Sequence, residues 1–333
     1  MLSIDELATP CLLIDAEALD RNVATMSTLL PGAQLRPHVK AHKCTALAAV
    51  QYAAGHTTFT CATPREVVGM ARAGLGDDLL LANETVDPAR LQAMAALGTP
   101  VTVAIDSDAT LDAAADAGIA RCLIDVNVGL PRCGVAPDAA GALADRARTR
   151  GLEVRGVMGY EGHLMMVDGH AARLAAVEQS MALLLQAHAD VGGEIVSAGG
   201  TGTHDMHGDT GVTEVQAGSY VLMDTHYGSL GLPFEQAMYV LGTVISVCAD
   251  WAVADVGLKA LGMDHGNPSI VDGEVWFCSD EHVTFSPTVP VSVGDRVRVV
   301  PAHIDPTMSM HEAAWITSGG EVVDRWPIDL RGW

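Results

Sequence analysis

Lysine is nearly absent from this chain: 333 residues hold three, and two of them, Lys40 and Lys43, fall in one short segment, L-R-P-H-V-K-A-H-K. Positive charge is scarce altogether, with 19 Lys and Arg against 41 Asp and Glu and a formal charge of −22. That balance disfavours nucleic-acid backbones and anionic membrane surfaces as partners. No uninterrupted apolar stretch is long enough to span a bilayer. The opening M-L-S-I-D-E-L-A-T-P lacks the basic and then apolar run of an export signal, so a cytoplasmic protein is expected. C-x-x-C pairs are also missing. Seven scattered cysteines, Cys11, Cys44, Cys61, Cys122, Cys133, Cys248 and Cys278, point to neither a disulfide framework nor a thiolate zinc site, and most of them read as small buried residues in a reducing compartment. With 49% hydrophobic and 18% charged residues the chain has ample material for a core, at a length that fits one large or two ordinary domains.

From about Leu35 onward a unit recurs: a short strand-like apolar run, a polar or Gly-containing break, then an alanine-rich helical stretch. Strands are expected near Leu35–Lys40, Thr57–Ala62, Asp78–Asn83, Val101–Asp106, Cys122–Asn127, Val154–Tyr160, Glu194–Ala198 and Glu214–Met223. Strands alternating with helices pair in parallel, and eight such units most simply close into a (β/α)₈ TIM-type barrel; a doubly wound open sheet is the alternative. After Leu232-Pro233 the texture turns to strand-rich runs such as V-L-G-T-V-I-S-V, W-A-V-A-D-V and R-V-R-V-V, which read as a second, mainly β domain. The expected boundaries are 12–235 for the barrel and 236–333 for the β domain, with residues 1–11 returning to the latter as an added strand.

The lysine segment alternates in strand fashion, which would set Arg36, His38, Lys40 and His42 on one face, opposite Pro37, Val39 and Ala41. A lysine held among cations and apolar walls loses part of its preference for the charged form, and the neutral amine is the nucleophile that forms Schiff bases. In a barrel the active site gathers at the carboxyl ends of the strands, and phosphate is often gripped after the seventh and eighth. There the chain carries S-A-G-G-T-G-T, Ser197 to Thr203, whose glycines let backbone N–H groups approach an anion, and then Q-A-G-S-Y, Gln216 to Tyr220. A covalent lysine anchor with an anion cradle is what pyridoxal 5′-phosphate requires. Farther on, in P-A-H-I-D-P-T-M-S-M-H, His303 and Asp305 are two apart and would point the same way from an extended strand. One imidazole and one carboxylate make a hard, open site suited to Mn²⁺ or Mg²⁺, although H-x-D on a strand is common without a metal.

Taken together, R-P-H-V-K-A-H-K, N-V-G-L-P-R-C-G, G-Y-E-G-H, S-A-G-G-T-G-T and E-V-Q-A-G-S-Y resemble the fold-type III pyridoxal phosphate enzymes. The resemblance is specifically to the D-threonine aldolase and D-serine dehydratase group related to alanine racemases, and it covers essentially the whole chain. It implies that Lys40 carries the cofactor as a Schiff base and that Arg132 sits near the cofactor ring. Gln216 would stand where the racemases place an arginine against the pyridine nitrogen, and Tyr160, Gly200, Thr201, Gly218 and Ser219 would complete the cofactor site. His163 matches the family's histidine thought to act on the substrate hydroxyl, a task suited to a group that titrates near neutrality. The H-x-D segment resembles the metal motif, usually H-C-D-P-T in the aldolases and H-x-C in the dehydratases, so Asp305 sides with the aldolases. Two departures stand out: Ala41 where members commonly carry threonine, and Ile304 where they carry cysteine. Neither removes a group the chemistry needs.

The resemblance thus implies a pyridoxal phosphate- and divalent metal-dependent aldolase that cleaves D-β-hydroxy-α-amino acids, D-threonine giving glycine and acetaldehyde, with D-3-hydroxyaspartate a close variant. The relatives are usually dimers, so a homodimer is expected. A D-serine-type dehydratase on the same scaffold is the alternative. A non-catalytic pyridoxal phosphate carrier would lack the β domain, and a racemase would need an opposing tyrosine motif that finds no match. The cluster H-D-M-H-G-D, His204 to Asp209, looks like a metal site but adjoins the phosphate loop, and is taken as packing or substrate-entry polar groups.

Overall fold

A computed structural model describes residues 2–333. Two compact units are present, one formed by Met26–Lys40, Ala48–Gly218 and the terminal Trp333, the other by the chain up to Thr25, Ala41–Leu47 and Ser219–Gly332.

The first unit holds a seven-stranded parallel sheet in chain order: Thr58–Cys61, Asp78–Leu81, Val101–Ile105, Arg121–Asp125, Glu153–Met158, Ile195–Ala198 and Glu214–Val215. The order never reverses, unlike that of a doubly wound sheet. Helices follow the strands, and their starts are written in the sequence. Thr63 and Asp87 cap the helices Pro64–Arg72 and Pro88–Ala95, each with proline at the first helical position. Ser107 and Thr110 form a reciprocal capping box on Asp108–Asp116. Two expected strands are shorter than anticipated. Leu35 and His38 make only single parallel bridges, to Val215 of the last strand and Thr60 of the first. Glu214–Met223 keeps its ladder only over Glu214–Val215 before the chain turns at Gly218 into the short 3₁₀ helix Ser219–Val221.

One side chain from each of five successive strands, Leu80, Ala104, Leu123, Met158 and Ile195, packs into a shared apolar layer. Two residues earlier on the same strand faces lie Asp78 and Thr102, which open a polar layer. There Arg36, 3% exposed, donates to Glu214 at 2.8 Å and reaches Asp78 at 3.4 Å, while Arg155 binds Asp78, Thr102 and Glu194. Burial alone would suppress the Arg36 charge, but Glu214 and then Asp78 outweigh it and hold its pKa above the ordinary guanidinium value. Ser197 donates to Glu214 at 2.7 Å and receives from Gln216 Nε2 at 2.8 Å, so this interior network extends to a predicted cofactor residue. Gly156 (φ +143°) allows the neighbouring strand to approach so closely that a Cβ there would stand 1.9 Å from the Ile195 carbonyl oxygen.

The second unit is a ten-stranded, mainly antiparallel sheet. Leu2–Ser3 and Cys11–Asp15 both belong to it, the latter between Met238–Val247 and Ala313–Ser318. Arg296–Val300 pairs with both Ser269–Ile270 and Met238–Val247, so the strands between them close on themselves. Leu7, Cys11, Leu13 and Leu241 form a core cluster there, with Tyr239 and Trp315 against it. Four of the seven cysteines are buried, Cys133 and Cys278 are half-buried, and Cys248 is exposed; all are free thiols. Among the described residues no helix is long and apolar enough to cross a membrane.

Candidate active site

Lys40 does not end a strand. The chain leaves the sheet after His38 and forms a 3₁₀ turn over Val39–Ala41, so the expected face of Arg36, His38, Lys40 and His42 breaks at Val39. Backbone bonds fix the place of the break: His38 N donates to Ala217 O, Thr60 N donates to Pro37 O, and beyond His38 the ladder stops. The turn leaves Lys40 half-buried, with Nζ 5.6 Å from the Tyr160 ring centroid. Arg132 approaches the same ring, its Cζ 5.2 Å from the centroid. Tyr160 follows the strand Glu153–Met158 and brings these two predicted cations together.

Arg132 is exposed on a loop organised by Asn127, whose amide donates to Leu130 O at 3.0 Å and whose oxygen accepts from Gly129 N at 3.0 Å. His163, exposed on the 3₁₀ turn Gly162–Leu164, lays its ring against Gly129, where a Cβ would come within 3.0 Å of the imidazole. His163 and Arg132 are therefore held by one loop. Behind it lies a feature the sequence reading missed. Ligating atoms of Glu84, Asp106 and Cys133 lie within 4.8 Å of one another. Asp125, buried and next to Glu84, has its pKa pushed well up, first by burial and then by Glu84, with Arg132 opposing. The Cys133 thiol is raised to about 12, chiefly by its bond to Glu84. Asp125 ends its strand and Glu84 and Asp106 lie just past theirs, on three consecutive strands, and the repeated ends L-A-N-E, V-A-I-D and L-I-D were the available signal.

The glycine-rich segment is placed where a cradle is needed, after Ile195–Ala198, and folds into the 3₁₀ turn Thr201–Thr203. Gly200 N donates to Thr203 Oγ1 at 3.2 Å, and both Gly200 and Thr201 are buried. Side chains are excluded here: a Cβ on Gly200 would stand 3.0 Å from Met165 Sδ, and one on Gly202 would stand 2.6 Å from the Met165 carbonyl oxygen. Gly218 and Ser219 are buried at the turn that follows the last strand. A half-buried primary amine and a guanidinium beside one aromatic ring, with a turn that admits no side chain at Gly200 or Gly202, are groups that fit pyridoxal phosphate.

In the other unit His303 and Asp305 do come together, but not from a strand. His303 has extended backbone (φ −148°, ψ 121°) as the N-cap of the helix Ile304–Met310, and Asp305 lies in its first turn. Asp224 fixes that helix start, accepting from Ile304 N at 3.1 Å and Tyr227 N at 2.8 Å; burial raises its pKa against both bonds. His303 Nε2 and Asp305 Oδ2 stand 3.6 Å apart. Donors each roughly 2.1 Å from a common ion lie at most about 4.2 Å apart, so the pair fits one divalent cation. The other ring nitrogen, Nδ1, meets Asp264 Oδ2 at 2.7 Å, which fixes the imidazole so that Nε2 faces Asp305. Burial opposes the Asp264 charge most strongly, yet the bond to His303 and the smaller electrostatic and backbone contributions together outweigh it and hold the carboxyl below its usual pKa. His265 stacks on His303 at 4.0 Å, and His226 lies 4.4 Å from His265. An antiparallel bridge between Gly262 and His303 brings Asp264 and His265 there, a long-range pairing that no local motif encodes.

Residues 14–226 match the family model for the alanine racemase N-terminal domain, and residues 237–317 match that for a serine dehydratase domain. The chain is 34% identical to a D-threonine aldolase of Arthrobacter sp. (97% of this chain, 93% of the relative). It is 32% identical to a 3-hydroxy-D-aspartate aldolase of Paracoccus denitrificans strain Pd 1222 (98% and 93%). Among solved structures, D-threonine aldolase from Filomicrobium marinum superposes with a TM-score of 0.91 at 32% identity (99% and 97%). D-threo-3-hydroxyaspartate dehydratase from Delftia sp. HT23 superposes with a TM-score of 0.90 at 27% identity (100% of each chain). The chain therefore belongs to the fold-type III, alanine racemase-like family of pyridoxal phosphate enzymes, in the group of D-threonine aldolases and their dehydratase relatives.

Proposed function

We propose that this protein is a carbon-carbon lyase that cleaves D-β-hydroxy-α-amino acids, converting D-threonine to glycine and acetaldehyde. The observation that carries the reading is the carboxylate of Asp305, in place of a thiolate, beside Nε2 of His303. Two curated relatives named as aldolases support it.

In this reading Lys40 Nζ anchors pyridoxal phosphate, with Tyr160 and Arg132 beside the amine. The turn at Gly200 and Thr201, with Gly218 and Ser219, would receive the phosphate, and Gln216, fixed by its bond to Ser197, would be the neutral partner of the ring nitrogen. When bound, the cofactor supplies an electron sink for the Cα–Cβ bond pair. His303 and Asp305 would hold a divalent ion, Mn²⁺ or Mg²⁺, which when bound would supply Lewis acidity toward the substrate hydroxyl. His163 takes the β-hydroxyl proton from its position against Gly129. One proton moves from the β-oxygen to the α-carbon, so substrate and products balance. The bridging segment at Leu35 and His38 is read as the eighth stave of the barrel. A cytoplasmic homodimer completes the proposal.

The test is product analysis after incubating pyridoxal phosphate-loaded protein with Mn²⁺ and D-threonine. Acetaldehyde with glycine supports the aldolase. Formation of 2-oxobutanoate with ammonia would replace it with the dehydratase alternative, which the Delftia sp. structure represents.

A further inference from the structure

The H-D-M-H-G-D cluster has no part in the chemistry above, yet both its histidines are buried: His204 is 3% exposed and His207 5%. Each grips the glycine-rich turn. His204 Nδ1 donates to the Thr201 carbonyl at 2.9 Å, and burial holds its pKa below the usual imidazole value, so it binds as the neutral ring. His207 works through Glu161, the acid of G-Y-E-G-H, which is fully buried. Glu161 Oε1 accepts from Thr203 Oγ1 at 2.7 Å and lies 3.3 Å from His207 Nε2, while Oε2 accepts from Gly199 N at 3.1 Å. Thr203 Oγ1 in turn accepts from Gly200 N at 3.2 Å. Two consecutive amides of the turn are thus held, one directly and one through a hydroxyl, by a single carboxylate.

His207 is the basic side chain that faces the Glu161 carboxylate. Its ring is packed against Gly199, which has φ +82° and where a Cβ would fall 2.8 Å from His207 Nε2. Burial disfavours the Glu161 charge, but the His207 bond and charge, followed by the Thr203 bond, outweigh it and keep the carboxyl below its usual pKa.

We propose that Glu161 and His207 are positioning residues for the cofactor phosphate: a buried pair, bonded to the Gly199 amide and the Thr203 hydroxyl, that fixes the Gly199–Thr203 turn before the anion arrives. A rigid turn spends none of its binding free energy on ordering, which is the advantage of preorganisation. The inference rests on the pyridoxal phosphate reading of the site.

The experiment measures dissociation constants of apo-protein for pyridoxal phosphate and for pyridoxal, which lacks the phosphate, in wild type, Glu161→Gln, His207→Gln, Thr203→Val and Thr203→Ser. The expected result is a loss of about ten-fold in pyridoxal phosphate affinity for Glu161→Gln and His207→Gln, the size of one charge-assisted hydrogen bond, with pyridoxal affinity changed less than about two-fold. Thr203→Val should weaken pyridoxal phosphate in the same selective way, and Thr203→Ser should restore it. Equal losses for both ligands, or no change in either, would overturn the positioning role. Should the Glu161 and His207 variants not fold, the two Thr203 variants decide by the same comparison. Wild-type protein that takes up neither ligand would instead defeat the cofactor reading and the inference with it.

Discussion

Replacing Asp264 by asparagine separates two ways in which the His303 cluster could hold a metal. The carboxylate meets His303 Nδ1 at 2.7 Å and turns Nε2 toward Asp305. Asparagine keeps the shape and a neutral acceptor but removes the charge. A hydrogen bond to a charged group contributes roughly 1.5–3 kcal/mol when buried. Asp264 is 56% exposed, so solvent screening reduces that figure to about 1 kcal/mol. At about 1.4 kcal/mol per decade, Mn²⁺ affinity should fall roughly five-fold. The assay is a titration that follows the electron paramagnetic resonance signal of free Mn²⁺, run beside His303→Ala, which removes a proposed ligand and should abolish tight binding. An unchanged affinity would show that Asp264 does not orient the imidazole. A loss as large as that of His303→Ala would make Asp264 itself a ligand, in the set it forms with His265 and His303 within 4.8 Å, and Asp305 would then lose the role assigned to it.

Other substitutions test the remaining parts of the structure. Gly156→Ala places a Cβ 1.9 Å from the Ile195 carbonyl oxygen at φ +143°, and should cost more than about 3 kcal/mol in urea unfolding; a cost below about 1 kcal/mol would refute the close strand approach. Asp125 has a raised folded pKa, so the fold binds its proton more tightly than the unfolded chain does, and its contribution to stability falls as pH rises from the ordinary carboxylate value through the raised one. Asp125→Asn should therefore stabilise the protein at neutral pH and flatten that decline, as read by denaturant melts at acidic and neutral pH; a destabilised variant at neutral pH would contradict the sign. Lys40→Ala should lose the visible absorbance of the bound cofactor and reduce D-threonine cleavage by at least about 10³-fold, since no other group replaces the covalent anchor. Retention of the band would mean that a different amine carries the cofactor.

What the sequence disclosed and what it hid follow from how local each cause is. The strand and helix rhythm was legible because its signals are local: apolar runs for the strands, and Thr63-Pro64, Asp87-Pro88 and the Ser107–Thr110 box for the helix starts. The turn at Lys40 was not, because H-V-K-A-H contains no turn residue; the strand ends there only because the ladders to Ala217 and Thr60 run out. At the metal motif, i and i+2 share a strand face but also place an N-cap and a first-turn residue side by side. Pro306 in the first turn was the local clue that favoured the helix.

The residues that escaped sequence reasoning altogether share one property: they act on another protein group and not on a ligand. Asp264 acts on His303, Glu161 on the amide and hydroxyl of a turn 38 and 42 residues away, and the Glu84, Asp106 and Asp125 carboxylates stand behind the Arg132 loop. A motif records residue types whose chemistry is visible alone, such as an amine, a glycine-rich turn or an imidazole beside a carboxylate. A supporting carboxylate has no such signature, because its role exists only once two segments distant in sequence have packed. Desolvation is what makes it detectable in a structure. A buried carboxylate must be neutralised, protonated or fully hydrogen-bonded, and Glu161 and Asp125 reach that requirement by opposite routes, one held ionised by hydrogen bonds and one pushed toward its neutral form by burial and Glu84. The same burial therefore produces a fixed anion behind the glycine-rich turn and an easily protonated acid behind the arginine loop, and the difference lies in which groups each carboxylate faces.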